Sequence, residues 1–264
     1  MSAATRPKRS TIDLNSDLGE GFGAFRVGPD EELFPFISSA NVACGFHGGD
    51  PRMMSRTVEQ ARKHNVAVGA HPGFPDLAGF GRRNIAASAE EIRTDVLYQI
   101  GAMAGITRAE GAALRHVKAH GALYNMAVKD PVVAEAIARA VRQFDAALRF
   151  FVIPGSALEA AAITAGLTVV REAFADRAYH ADGSLVSRSV PGAVIEDAEL
   201  VAARVIRLVE EGVIETIEGD LLTLEADTIC IHSDTATAVP IARAISARFA
   251  RAGIDVRPSH PIEG

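Results

Sequence analysis

Ionisable side chains gather at the ends of apolar, strand-like runs: Ile12-Asp13-Leu14-Asn15-Ser16-Asp17, Val66-Ala67-Val68-Gly69-Ala70-His71, His116-Val117-Lys118-Ala119-His120, Thr168-Val169-Val170-Arg171-Glu172 and Ile229-Cys230-Ile231-His232-Ser233-Asp234. A β-strand turns successive side chains to opposite faces. Asp13, Asn15 and Asp17 therefore share a face, as do His116, Lys118 and His120, and Cys230, His232 and Asp234. Unpaired charge is costly inside a packed core, so such faces point to a reaction site. Carboxylates in one cluster raise one another's pKa and can supply an acid and a base near neutral pH, or hold a hard cation. Asp13, Asp17 and Glu20 are candidates for that work, with His71, Lys118 and His120 beside them.

Other motifs surround these. Asn41-Val42-Ala43-Cys44-Gly45-Phe46-His47-Gly48-Gly49-Asp50-Pro51 runs from a strand into a helix start. Backbone N–H groups there favour an anion near His47, and Asp50 reads as the helix N-cap. Cys44 reads as a small buried residue. Phe80-Gly81-Arg82-Arg83 offers guanidinium forks suited to carboxylate or phosphate. Lys118, aimed into a barrel, needs an anionic partner; His116, deeper on the same face, reads as structural. Glu172, Asp176 and Arg177 enter a long loop, either as site residues or as a lattice that shapes it. Asp234 is open between a site role and a helix cap. Gly19-Glu20-Gly21-Phe22-Gly23 lacks the Lys and Thr of a phosphate-binding P-loop, yet its amides can approach an anion. His64 and His260 read as surface residues.

The elements that must position these groups alternate along the chain. Strands are expected near 11–17, 37–43, 66–70, 115–119, 150–153, 168–172 and 228–232. Helices are expected from Asp50-Pro51 to about His64, from the capping box Ser88-Ala89-Glu90-Glu91, from Asp130-Pro131, after Pro154-Gly155 as far as Gly166, over Asp197–Glu211, and from about Thr237 to Ala252. This alternation predicts a parallel sheet with helices outside it, and polar strand ends are where a parallel barrel builds its site. Loops 71–87 and 174–192 are long enough to be lids or binding loops. Val213–Leu224, around Glu218-Gly219-Asp220, predicts a β-hairpin.

The 264 residues, 48% hydrophobic, suffice for one barrel domain over 11–264, with 1–10 as a disordered basic tail that lacks the apolar stretch of a secretory signal. No apolar run reaches the ~18 residues of a membrane span. A net charge of −6 without a basic stripe argues against nucleic acid. Two cysteines in apolar segments, Cys44 and Cys230, fit reduced thiols in a cytoplasmic protein.

Six ordered motifs, Asp13–Glu20, Asn41–Pro51, Gly69–Asp76 with Phe80–Arg83, Val117–Asn125, Glu172–Tyr179 and Ile229–Asp234, together resemble the LamB/YcsF family. The resemblance covers nearly the whole chain after the basic tail. Ala119 stands where that family usually shows proline, Ser233 where it shows glycine and Thr235 where asparagine is common, but the ionisable groups remain. The resemblance implies an α/β fold: an irregular (β/α) TIM-like barrel of the glycoside hydrolase/deacetylase type with seven main strands. It implies a share in the ATP-coupled opening of 5-oxo-L-proline to L-glutamate, with two companion subunits and with ATP bound here or by them. On this reading Asp13, Asp17, Glu20, His71, Lys118 and His120 are catalytic. Asn15, His47, Arg82, Arg83, Tyr124, Asn125, Glu172, Asp176, Arg177 and His232 hold substrate. Lys118 and Arg82 or Arg83 would bind phosphate or carboxylate; Asp17 or Glu20, with His71 and His120, would move protons; Asp13 would hold a cationic group in place. No metal set is assigned. A rival reading is a metal-dependent amide hydrolase, such as a carbohydrate deacetylase, with zinc on Asp13 or Asp17 and on His47 and His71; a second is a binding protein without chemistry of its own.

Overall fold

The computed structural model describes residues 9–259. In chain order the elements are β1 (Thr11–Leu18), α1 (Asp30–Leu33), β2 (Ser39–Ala43), α2 (Pro51–Lys63), β3 (Ala67–His71), α3 (Ala89–Ala109), β4 (Leu114–Val117), α4 (Gly121–Lys129), α5 (Pro131–Phe144), β5 (Arg149–Val152), α6 (Ala157–Thr164), β6 (Thr168–Phe174), α7 (Ala198–Glu211), β7 (Val213–Glu215), β8 (Leu221–Thr223), β9 (Thr228–Cys230), α8 (Ala238–Ala252) and β10 (Asp255–Val256). The strands β1-β2-β3-β4-β5-β6-β9 run parallel, and β9 pairs back onto β1, closing a seven-stranded barrel. The seven expected strands are the seven staves. β10 pairs with Thr11 and Ile12 at the start of β1, while β7 and β8 form the expected antiparallel hairpin.

Capping chemistry sets the helix starts. Asp50 accepts from the amides of Arg52 and Met53 at 2.9 Å each, and Ser88 exchanges bonds with Glu91 in a complete capping box. Asp130, Ser156 and Asp197 cap α5, α6 and α7 in the same manner. Three short elements, α1, α4 and β10, add to those expected from the sequence. Of the basic segment 1–10, residues 1–8 lie outside the described residues, as does His260. Arg9 donates to the Ala226 carbonyl and pairs with Asp227 at 3.2 Å, and Ser10 accepts the Asp255 amide, so this end of the segment is tied to the barrel.

The interior of the barrel is polar and layered, as the period-two reading of β1 requires. Ile12, Leu14 and Leu18 join the apolar core, whereas Asp13, Asn15 and Asp17 face polar partners on other strands. Asp13 accepts from Ser38 at 2.5 Å, Ser39 at 2.8 Å and Thr228 at 2.6 Å. Next along the barrel, Asn41 donates to Asn15 at 2.7 Å, and Asn15 donates to Thr228 at 2.8 Å. His116 sits against Asn41 at 2.8 Å and stacks on Phe151, in the structural role expected of it. Gly69 leaves room for that ring: a Cβ there would lie 2.1 Å from His116 Cδ2 and Nε2. Nearest the C-terminal strand ends is the layer that carries charge.

Candidate active site

Lys118 follows β4 and is 1% exposed. Its Nζ lies 2.9 Å from Asp17 Oδ1, at the end of β1, and 2.8 Å from Glu172 Oε1 on β6. The second contact is an ion pair not aligned as a hydrogen bond. Asn15 and Cys230 Sγ complete its surroundings at 3.3 and 3.1 Å. Burial works against the Lys118 charge, but Asp17, Cys230 and Glu172 outweigh it and raise its pKa well above the usual value. Burial likewise pushes Asp17 up, yet the neighbouring charges of His71 and Lys118 hold it well below the carboxylate range. Tyr124 donates to Glu172 at 3.0 Å; burial and that carboxylate raise its phenol well above normal.

A second group adjoins this layer. His71, at the end of β3, donates from Nδ1 to the Lys118 carbonyl at 2.8 Å, and its Nε2 lies 3.5 Å from Asp17 Oδ2. Against the pull of burial, Asp17 raises the His71 pKa. His120 Nδ1 is 3.0 Å from His71 Nε2 and 3.3 Å from Glu20 Oε1, and His120 Nε2 donates to the Phe80 carbonyl at 2.8 Å. His47 stacks on His120 with ring centroids 3.6 Å apart, and its Nε2 lies 3.2 Å from Glu20. Burial drives His47 and His120 well below the usual imidazole pKa, and drives Glu20 upward. Ligand atoms of Glu20, His47, His71 and His120 lie close enough to share a metal ion, as do those of Asp17, Cys230 and His232.

Above both groups opens a cleft of about 520 Å³. Asp17, Glu20, His71, Lys118, His120, Tyr124, Asn125, Arg177 and His232 line it. Both long loops wall it: loop 71–87 contributes Arg82, and the loop after β6 contributes residues 183–188. Arg82 pairs with Asp234 at the rim, and Arg188 lies 3.7 Å from the same carboxylate. His232 pairs with Asp176 at 2.8 Å and stacks on Phe174.

Three expected site residues are placed elsewhere. Asp13 sits deep in the barrel holding three hydroxyls rather than a cation, and burial pushes its pKa up to about 6. Asn15 lies in the layer beneath Lys118. Arg83 turns to Asp76, which shapes loop 71–87, and lies outside the cleft lining. Arg177 lines the cleft, but its guanidinium also donates to the Val186 carbonyl and braces the loop. Asp234 anchors rim arginines and does not cap α8, whose N-cap is Thr237 without a side-chain bond. Ser233 donates to the Asp17 carbonyl at 2.6 Å, so the hydroxyl at this departure from the family pattern fixes the end of β1. The amides of Gly19 and Gly23 are taken by Asp30 and Asp50, at 2.8 Å each, so the glycine-rich turn spends them on internal carboxylates.

Sequence reasoning misses Arg188 as a rim cation, because only the length of its loop marks it. Asn41 stands out in the sequence only as part of a motif. Its donation to Asp17 at 2.8 Å depends on the β1–β2 register, which pairs the two residues.

A closed parallel barrel with its charged cleft at the C-terminal strand ends defines an α/β barrel of the deacetylase architecture. The catalytic domain of peptidoglycan N-acetylglucosamine deacetylase from Eubacterium rectale shares that fold, at 13% identity and a TM-score of 0.52 over 99% of this chain and 95% of that one. More particularly, residues 12–264 match the LamB/YcsF family, and this chain belongs to it. A relative from Symbiobacterium thermophilum, named as the A-type subunit of 5-oxoprolinase, is 52% identical over 256 residues, covering 97% of this chain and 98% of the relative. The crystal structure of the lactam utilization protein from Thermus thermophilus matches with a TM-score of 0.90 and 52% identity, over 94% of this chain and 99% of that one.

Proposed function

We propose that this chain is a component of an ATP-hydrolysing 5-oxoprolinase that opens 5-oxo-L-proline to L-glutamate together with two companion subunits in the cytoplasm. The observation that carries this reading is 52% identity, over nearly full length, to a relative named as a 5-oxoprolinase component. The cleft supports it with a chemistry suited to a small, anionic cyclic amide. No helix among the described residues is long and apolar enough to cross a membrane, which is compatible with a cytoplasmic site.

A lactam resists attack because amide resonance must be broken. Phosphorylation of the amide oxygen converts it into a leaving group. Water then adds at that carbon, the ring C–N bond breaks, the nitrogen takes up a proton and phosphate departs. ATP supplies the phosphoryl group. Because Asp30 and Asp50 occupy amides of the glycine-rich turn, ATP binding is assigned to the companion subunits. Arg82 and Arg188 at the rim are suited to the substrate carboxylate. The Lys118 charge is matched by Asp17 and Glu172, so Lys118 orients these carboxylates rather than capturing an external anion. Asp17, ionised at the cleft floor beside His71, is the candidate that orients water; His120 and Glu20 lie next to it.

Glutamate release from 5-oxoproline and ATP tests the reading, measured with this chain alone and with the companion subunits. Release only in the mixture is expected. An inactive mixture that cleaves N-acetyl sugars instead would favour the amide-hydrolase reading, for which the imidazole cluster is the specific observation.

A further inference from the structure

We propose that Glu20, His47, His71 and His120 form a binding site for one divalent first-row transition-metal ion, zinc being the ion this donor set suits best. The geometry of these four side chains supports the site independently of the reaction proposed above.

Hydrogen bonds on the far sides of two rings are decisive. His71 Nδ1 is 2.8 Å from the Lys118 carbonyl, and His120 Nε2 is 2.8 Å from the Phe80 carbonyl. A carbonyl oxygen only accepts, so each of these nitrogens carries a hydrogen. In a neutral imidazole the other nitrogen is then a lone pair. His71 Nε2 and His120 Nδ1 face each other at 3.0 Å, and the Glu20 carboxylate is 3.3 Å from the second. Two lone pairs and a carboxylate at such distances repel unless a positive charge joins them. A proton can join the two nitrogens; a metal ion can join all of them and His47 as well.

The spacing fits the metal. Zinc binds imidazole and carboxylate at about 2.0–2.2 Å in a tetrahedron, whose edges are then roughly 3.3–3.5 Å. The contacts measured here are 3.0, 3.2 and 3.3 Å, and all four donor atoms lie within 4.8 Å of one another. Imidazole-rich donor sets select ions of the zinc, copper, iron and nickel group over magnesium or calcium. Backbone carbonyls behind His71 and His120 are the outer partners that fix tautomer and ring direction in metal sites.

The cluster is also built rigidly. The four side chains come from four separate strand ends and are buried. Gly81 packs so closely that a Cβ would lie 2.7 Å from His47 Cβ and 2.8 Å from His120 Cδ2; Gly73 is packed against His47 in the same way. The stacked rings of His47 and His120 must tilt apart for both to present lone pairs in plane. Glu20, His71 and His120 line the cleft, so an ion held there faces the bound substrate, where it can polarise an oxygen or activate water.

The test uses the full chain, stripped with chelator, dialysed and titrated with Co²⁺ followed by Zn²⁺. One equivalent of Co²⁺ giving the intense visible bands of a tetrahedral site, displaced by one equivalent of Zn²⁺, is expected with a Kd below about 1 μM. His71→Gln and His120→Gln should weaken binding at least about 10-fold, while Asp76→Asn leaves it unchanged. Absence of the bands in folded wild-type protein overturns the proposal, as does undiminished binding in both histidine variants. The wild-type titration decides alone if a variant fails to fold. No turnover is measured, so this outcome is independent of whether the chain acts on 5-oxoproline.

Discussion

Lys118→Met tests the charged layer most sharply. Methionine keeps the length and much of the volume of the stem but removes the ammonium. In the native protein that ammonium sits 2.9 Å from Asp17 and 2.8 Å from Glu172, in a residue 1% exposed. Its loss leaves two carboxylates in the barrel with no cation between them. Removing one partner of a buried ion pair costs about 3–5 kcal/mol, because the other charge stays desolvated. With a urea m-value of about 3 kcal/mol/M for a chain this size, the denaturation midpoint should fall by about 1–1.7 M. Part of that loss should return in Lys118→Met/Glu172→Gln, which removes one of the stranded charges. Urea unfolding followed by circular dichroism, for wild type, both singles and the double, gives the coupling directly. A loss below about 1 kcal/mol for Lys118→Met, or strictly additive singles, would refute the claim that these charges are mutually dependent.

Other outcomes follow from the same coordinates. Asp13 titrates at about 6 in the folded chain against 3.8 as its ordinary value, so its folded form retains a proton that the unfolded chain has already lost. Its contribution to stability therefore falls as pH rises from about 4 to above 6, by about 3 kcal/mol; Asp13→Asn should abolish that slope, and parallel stability–pH curves for the two proteins would contradict it. Gly69→Ala should destabilise by about 1–3 kcal/mol through collision with His116, whereas Gly101→Ala, on α3 with open space around it, should stabilise by up to about 1 kcal/mol in the same thermal unfolding assay. Arg82→Gln/Arg188→Gln should raise KM for 5-oxoproline at least about 10-fold with a smaller change in kcat; an unchanged KM would remove the rim arginines from substrate binding.

Much of this is legible in the sequence because strand ends and helix caps leave local marks. Asp50-Pro51, Ser88 to Glu91 and Asp130-Pro131 announce their helices in a few residues, and each caps as its chemistry dictates. Asp17, Lys118 and Glu172 are recognisable as polar ends of apolar runs. Their mutual contacts are not, since these depend on how the barrel closes and which strands lie opposite. α4 is hidden because it begins at Gly121 with φ +54°, directly after His120, a residue that stands out for its chemistry. The glycine is needed there: a Cβ would lie 2.6 Å from the Gly81 carbonyl oxygen. α1 and β10 are too short for periodicity to reveal. Asp13 shows the limit of inferring a shared site from a shared strand face. It lies on the same face as Asp17, but four residues of strand separate them, about 13 Å at 3.3 Å per residue, and only the upper one reaches the cleft.

The central claim is that the lactam is opened in the cleft floored by Asp17, Lys118 and Glu172. The most direct test is ATP-dependent glutamate release from 5-oxoproline by the complete subunit mixture, with wild-type chain or with folded Asp17→Asn. A loss of at least about 10²-fold is expected in the variant. A rate near that of wild type would contradict the claim and move the chemistry out of this cleft.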